Sequence, residues 1–261
     1  MSVQLTVAVI SAAVALLSIW LSTRATRSNA ELQARLQGEL EQRRTETSKA
    51  SRLEEVIGRY RDPLLSAAFE LQTRIYNFVC GSFAGYLRSD DPAEKSYVVN
   101  STLFVVAQYL AWAEALRRGV QFLDLGDVER NRELVSRLEA IRRTFATDTR
   151  FAGPFRIFRV EQRAIGELML EPSETGQSMD MPWQCAGYAT FCSRIEHDEE
   201  FASWFARLDR DIRSLADSRE PGRARLAALQ NSLMDLIDFL DDPPLRFPPT
   251  LLTRITLDQP G

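Results

Sequence analysis

The chain has 261 residues, a net charge of −4 and a single histidine, His197. One histidine excludes a catalytic histidine pair and an HExxH zinc site, and an acidic balance gives no general affinity for nucleic acid. Three cysteines, an odd number, supply no disulfide framework and fit a reducing compartment.

From Met1 to Thr23 no side chain is charged, and Val3 to Ser22 is apolar apart from Gln4, Thr6, Ser11, Ser18 and Ser22. About 20 helical residues cross a hydrocarbon core of roughly 30 Å, so residues 3–22 are expected to span a lipid bilayer. Trp20 lies near the far end, where an indole favours the interface, and Arg24 and Arg27 follow at once. Positive charge after the span predicts an inner-membrane protein with its N-terminus outside and its C-terminal domain cytoplasmic. A cleaved signal peptide would need a basic start and a small-residue cleavage site beyond the apolar run. Here Ser11, Ala12 and Ala13 sit in mid-run instead.

Ala8, Ser11, Ala15, Ser18, Ser22, Ala25, Asn29, Leu32 and Leu36 follow a 3-4-3-4 spacing through and beyond the anchor. Small residues in lipid allow close helix approach, and leucines on the same seam in water suit a coiled coil, so a parallel homodimer is expected. Residues 24–61 read as a polar helical stalk, with Glu31/Arg35, Glu39/Arg43 and Glu55/Arg59 as i,i+4 pairs. An extra four-residue step to Leu40 marks a stutter that weakens any supercoil.

Residues 62–261 are expected to form one helical domain. Asp62-Pro63 predicts a helix start, and the helix should run to about Leu87. Gly81 and Gly85 near its end suggest close helix packing. Tyr97 to Ala113 is very apolar but broken by Asn100, Ser101, Thr102, Gln108 and Tyr109, which predicts a buried central helix. Its charged end, Glu114, Arg117 and Arg118, should reach the surface. Further helices are predicted from Asp127 to about Phe145, Phe155 to Leu170, Pro182 to Ile195, Asp198 through Ile212, and Pro221 to Pro243. Alternation of period two is nowhere sustained, so no sheet is expected. The fold class is all-α: anchor, stalk and a bundle of about six or seven helices.

Nucleotide-loop and nucleophile-elbow patterns are absent, and no cofactor is predicted. Cys185 and Cys192, placed on one helix face, read as small buried hydrophobes. Two charged features remain. Arg156, Arg159 and Arg163 would form one stripe of a helix, with Glu167 completing an i,i+4 pair, and arginine forks suit carboxylates and phosphates. Asp235, Asp238, Asp241 and Asp242 crowd the last turns of the final helix, where the dipole disfavours acids. A divalent cation or a set of arginines would compensate, and the stripe is the internal candidate.

The blocks YRDPLLSAAFELQTRIYNF (Tyr60 to Phe78), LFVVAQYLAWAEALRRGVQFLDLG (Leu103 to Gly126) and FRVEQRAIGELM (Phe158 to Met169) resemble uncharacterised bacterial proteins with one N-terminal span. The resemblance covers most of the chain and brings no activity with it. Together these features predict a non-enzymatic interaction protein, a scaffold, sensor or signalling domain on a membrane anchor. The alternatives are a membrane-disrupting effector of a defence or toxin system, and an enzyme working through carboxylates and arginines.

Overall fold

The protein is described by a computed structural model over residues 37, 42–44, 58–121, 128–148, 153–173, 182–215, 222–242 and 246–256. The anchor and the seam residues Ala8, Ser11, Ala15, Ser18, Ser22, Leu32 and Leu36 lie outside the described residues. Among the described residues no helix is long and apolar enough to cross a membrane. The chain divides into two compact units, Met1–Ser51 and Arg52–Gly261, and the second carries the fold given below.

Helix α1 (58–79) turns Leu64, Leu65, Ala68, Leu71 and Ile75 into the core. It runs unbroken through Asp62-Pro63, which therefore does not start a helix. These positions make long-range contacts instead: Arg61 Nε donates to the Leu240 carbonyl at 2.5 Å, and Asp62 pairs with Arg246. The helix ends earlier than its sequence suggests, and a 3-10 helix follows at Phe83–Arg88. Gly81, just before it, and Gly85, within it, are exposed; a Cβ on Gly85 would touch nothing and one on Gly81 would meet the Asn77 backbone one turn back, so the pair does not pack against another helix.

Helix α2 (Pro92–Gln121) is the buried central helix that its apolar composition predicts. Val98, Val99, Leu103, Val106, Tyr109, Leu110, Ala111 and Leu116 are all buried. Its charged end does not simply reach the surface. Glu114 is only 3% exposed and binds both following arginines, accepting from Arg117 Nε at 2.6 Å and from Arg118 Nε at 2.9 Å. An acid can be buried here because its two partners lie one turn further on the same helix.

Helix α3 (Val128–Ala146) buries Leu134, Ile141 and Phe145. Helix α4 (Arg159–Met169) lies against α2 at Gly166, where a Cβ would stand 2.6 Å from the Leu110 carbonyl oxygen and 2.9 Å from the Glu114 Cβ. The chain then forms a short antiparallel ribbon, β1 (Leu170–Pro172) with β2 (Trp183–Cys185). This corrects the expectation of no sheet: strands of three residues are too short to show alternation, and Pro172 cannot continue a helix. It also removes Cys185 from any helix, so Cys185 and Cys192 do not share a helix face.

Helices α5 (Tyr188–His197), α6 (Glu199–Ser203) and α7 (Ala206–Ser214) follow. Asp198 caps α6 as expected, accepting from the Phe201 amide at 2.9 Å, but the helix turns at Trp204-Phe205 instead of running on. The turn brings Phe205 against Phe191 and Phe201, with ring centroids 5.2 and 5.1 Å apart. Helix α8 (Arg223–Leu240) begins after Gly222, whose φ of 94° and contact with the Pro154 ring both require glycine. It carries Arg225 into the core, 1% exposed, where the guanidinium donates to the carbonyls of Thr144, Phe145 and Thr147 at the end of α3. A cation at a helix C-terminus meets unpaired carbonyls and the favourable end of the dipole.

The tail, 246–256, is strapped across α1 and α8. Phe247 stacks on Phe69 with ring centroids 3.8 Å apart. Gln230, fully buried, donates to Gln72 Oε1 at 3.1 Å and to the Thr253 carbonyl at 2.9 Å, and accepts from the Ile255 amide at 3.1 Å. One amide side chain thus serves two elements at once.

Gly166→Ala should destabilise the protein by about 1–3 kcal/mol through overpacking, more than the gain of about 1 kcal/mol in helix propensity. Chemical denaturation checks this, and an alanine variant as stable as the wild type would remove the close approach. Gln230→Leu should cost about 1–3 kcal/mol and free the strap, because the buried Ile255 amide loses its acceptor. Limited tryptic digestion should then cut at Arg254 faster than in the wild type.

Candidate functional site

The arginine stripe is real only in part. Phe158 precedes the first turn of α4, and the Glu161 carboxylate accepts its amide at 2.8 Å, which sets the helix start three residues after Arg156, at Arg159. Phe155, at φ 64°, turns the chain into this segment, and its amide donates to Asp211 Oδ2 at 2.8 Å. Arg156 therefore lies before the helix and does not share a helical stripe with Arg159 and Arg163. The predicted Arg163–Glu167 pair is absent too. Glu167 sits 3.3 Å from Arg118 of α2, and Arg163 is exposed with no acid in ion-pair range among the described residues.

What replaces the stripe is a surface built around an aromatic ring. Phe158 is 44% exposed, and the guanidinium carbons of Arg156 and Arg207 both stand over its ring, at 4.8 and 4.9 Å. Arg207 comes from α7 and is held by Glu161, so the carboxylate that starts α4 also fixes an arginine beside it. Arg159 pairs with Glu139 of α3, and Arg156 lies 3.7 Å from Asp148. Val160 is 75% exposed between these charges. Sequence reading found Arg156, Arg159 and Arg163 but missed Arg207. Arg207 is 44 residues beyond Arg163, and nothing local joins them.

The four aspartates at the end of α8 do not meet this surface, which corrects the expected pairing. Arg254 of the strap binds Asp235 at 2.7 Å and Asp238 at 2.6 Å, all three half-exposed. Asp241 is buried and accepts from the Arg246 amide at 3.2 Å, while Asp242 is exposed. Among the described residues no three His, Cys, Asp or Glu side chains gather as a metal site would require. The acids at this unfavourable helix end are compensated by the tail.

A scan of protein-family models, a search of curated proteins and a search of solved structures each find no match to the chain.

Beneath the α4 surface lies the Glu114 cluster. Burial pushes the Glu114 carboxyl up, but hydrogen bonds and charge from Arg117 and Arg118 outweigh it and hold it below the usual carboxylate range. A depressed folded value means that this group's stabilising contribution is complete above the unfolded value near 4.5 and is lost as pH falls through the folded one. The stability difference between wild type and Glu114→Gln, about 1–3 kcal/mol, should therefore be constant above about pH 5.5 and shrink in acid below the ordinary glutamate range. Denaturant titrations at a series of pH values check this. A difference that grows on acidification would contradict the sign.

Proposed function

We propose that the chain is a membrane-anchored, non-enzymatic interaction protein that meets an acidic protein partner through the face of α4. Residues 3–22 hold it in the inner membrane with its N-terminus outside, and the helical domain works in the cytoplasm as a scaffold, sensor or signalling unit. The seam from Ala8 to Leu36 pairs two copies. The bacterial single-span family that the sequence resembles is its natural setting.

The observation that carries this reading is Phe158. A large aromatic side chain, nearly half exposed between two arginines and beside an exposed valine, has the composition that recurs at the centre of protein interfaces. Arg156 and Arg207 flank the ring, and Arg159 and Arg163 follow on α4. Their ion pairs are half-exposed, so each contributes little to stability and is readily exchanged for a partner's carboxylate.

The test is a photo-crosslinking residue at Val160 of the full-length chain in bacterial cells, beside the same residue at exposed Glu129 of α3. Discrete adducts from position 160 alone, lost on Arg159→Glu with Arg163→Glu, are expected. Adducts of equal yield at both positions, or none at 160, would remove this face as the working surface.

A further inference from the structure

A second cluster lies away from α4, where α1, the 3-10 helix, α2 and α5 come together. At its centre is Arg74 of α1, half-buried, whose Nη1 donates to Ser101 Oγ at 2.7 Å and Thr102 Oγ1 at 3.5 Å on α2. Each of those hydroxyls donates its own proton one turn back along α2, Ser101 to the Tyr97 carbonyl and Thr102 to the Val98 carbonyl. They can only accept from Arg74, and neither carries charge. Phe83 covers one face of the guanidinium at 4.3 Å. Among the described residues no carboxylate lies within ion-pair range of Arg74. Glu70, one turn earlier on the same helix, is exposed, and its charge is felt only at longer range.

A half-buried guanidinium without a carboxylate partner is costly, because burial removes water that its neutral partners replace only in part. Burial weakens Arg74's hold on its proton, while the phenols of Tyr97 and Tyr188 and the Glu70 carboxylate strengthen it. The guanidinium stays charged at any working pH. Tyr97, 54% exposed, is hydrogen-bonded through its hydroxyl to the guanidinium, while the hydroxyl of Tyr188, 37% exposed and supported edge-on by Phe104 at 5.3 Å, is taken up by Cys192.

We propose that Arg74, with the Tyr97 hydroxyl beside it, forms a binding site for a small oxyanion, the carboxylate or phosphate group of a solute. The ring of Phe83 blocks one face of the fork, so a ligand must approach along its N–H edge, the geometry that suits paired oxygens. The Tyr97 hydroxyl, accepting from the guanidinium, keeps its own proton to donate to the ligand, and Glu70 tunes affinity by repulsion from one turn away. The site is separate from the α4 surface, and its failure would leave that reading untouched.

The experiment is thermal melting of the full-length protein in detergent, titrated with sodium phosphate or sodium acetate at ionic strength held constant with sodium chloride. A ligand that binds only the folded chain raises Tm with its concentration. A saturable rise with phosphate or acetate is expected, and whichever anion gives it identifies the group. Arg74→Gln should weaken apparent affinity at least tenfold, Tyr97→Phe severalfold, and Glu70→Gln should tighten it. Should Arg74→Gln fail to fold, Arg74→Lys, which keeps the charge but loses the fork, should still weaken binding severalfold. No saturable rise with either anion in the wild type would overturn the proposal. So would a rise that the Arg74 variants leave unchanged.

Discussion

The approach of α4 to α2 at Gly166 is the contact on which the rest of the domain depends. With no side chain at that position, the α4 backbone settles against the Leu110 carbonyl and the stem of Glu114. That approach places Glu167 beside Arg118, which also packs on the ring of Trp183 at 5.0 Å. The arginine thus links the central helix to α4 and to the ribbon that follows it. A larger residue at 166 would push α4 outward and carry the Phe158 surface and the ribbon with it.

Arginine does several different jobs in this chain, which explains why its abundance misleads. Arg225 closes the end of α3 from inside the core, Arg254 fastens the strap to α8, and Arg194 reaches the Leu168 carbonyl at 2.8 Å while lying over Phe201. Each uses the planar fork or the flat guanidinium face, and a lysine could not reproduce them. At the α4 face the guanidinium groups stand half-exposed around a ring, and at Arg74 the fork meets neutral hydroxyls. Those two places differ from the structural ones in what surrounds the guanidinium, not in the residue itself.

The helical class and the core positions of α1, α2, α3 and α8 could be read from the sequence because long apolar stripes repeat at helical spacing. The central helix was found from its apolar run and its lack of sustained charge. What escaped were features decided by single residues acting over distance. The start of α4 is fixed by Glu161 three residues beyond Phe158, and that moved Arg156 off the helix. Glu114 looks like a surface acid until α4 covers it. Asp235 and Asp238 of α8 found their arginine in the tail, 19 and 16 residues further along the chain. Ribbon strands of three residues carry no periodic signal at all.

Amide hydrogen exchange along α4 tests the central claim most directly, because a working surface at Phe158 requires a helix held rigidly on α2. The amides of Ile165 and Gly166 should exchange as slowly as those of Leu103 to Leu110 in the buried centre of α2, opening only with the whole domain. Exchange of α4 at the rate of a frayed helix, while α2 stays protected, would contradict it. The surface around Phe158 would then have no fixed shape for a partner to meet.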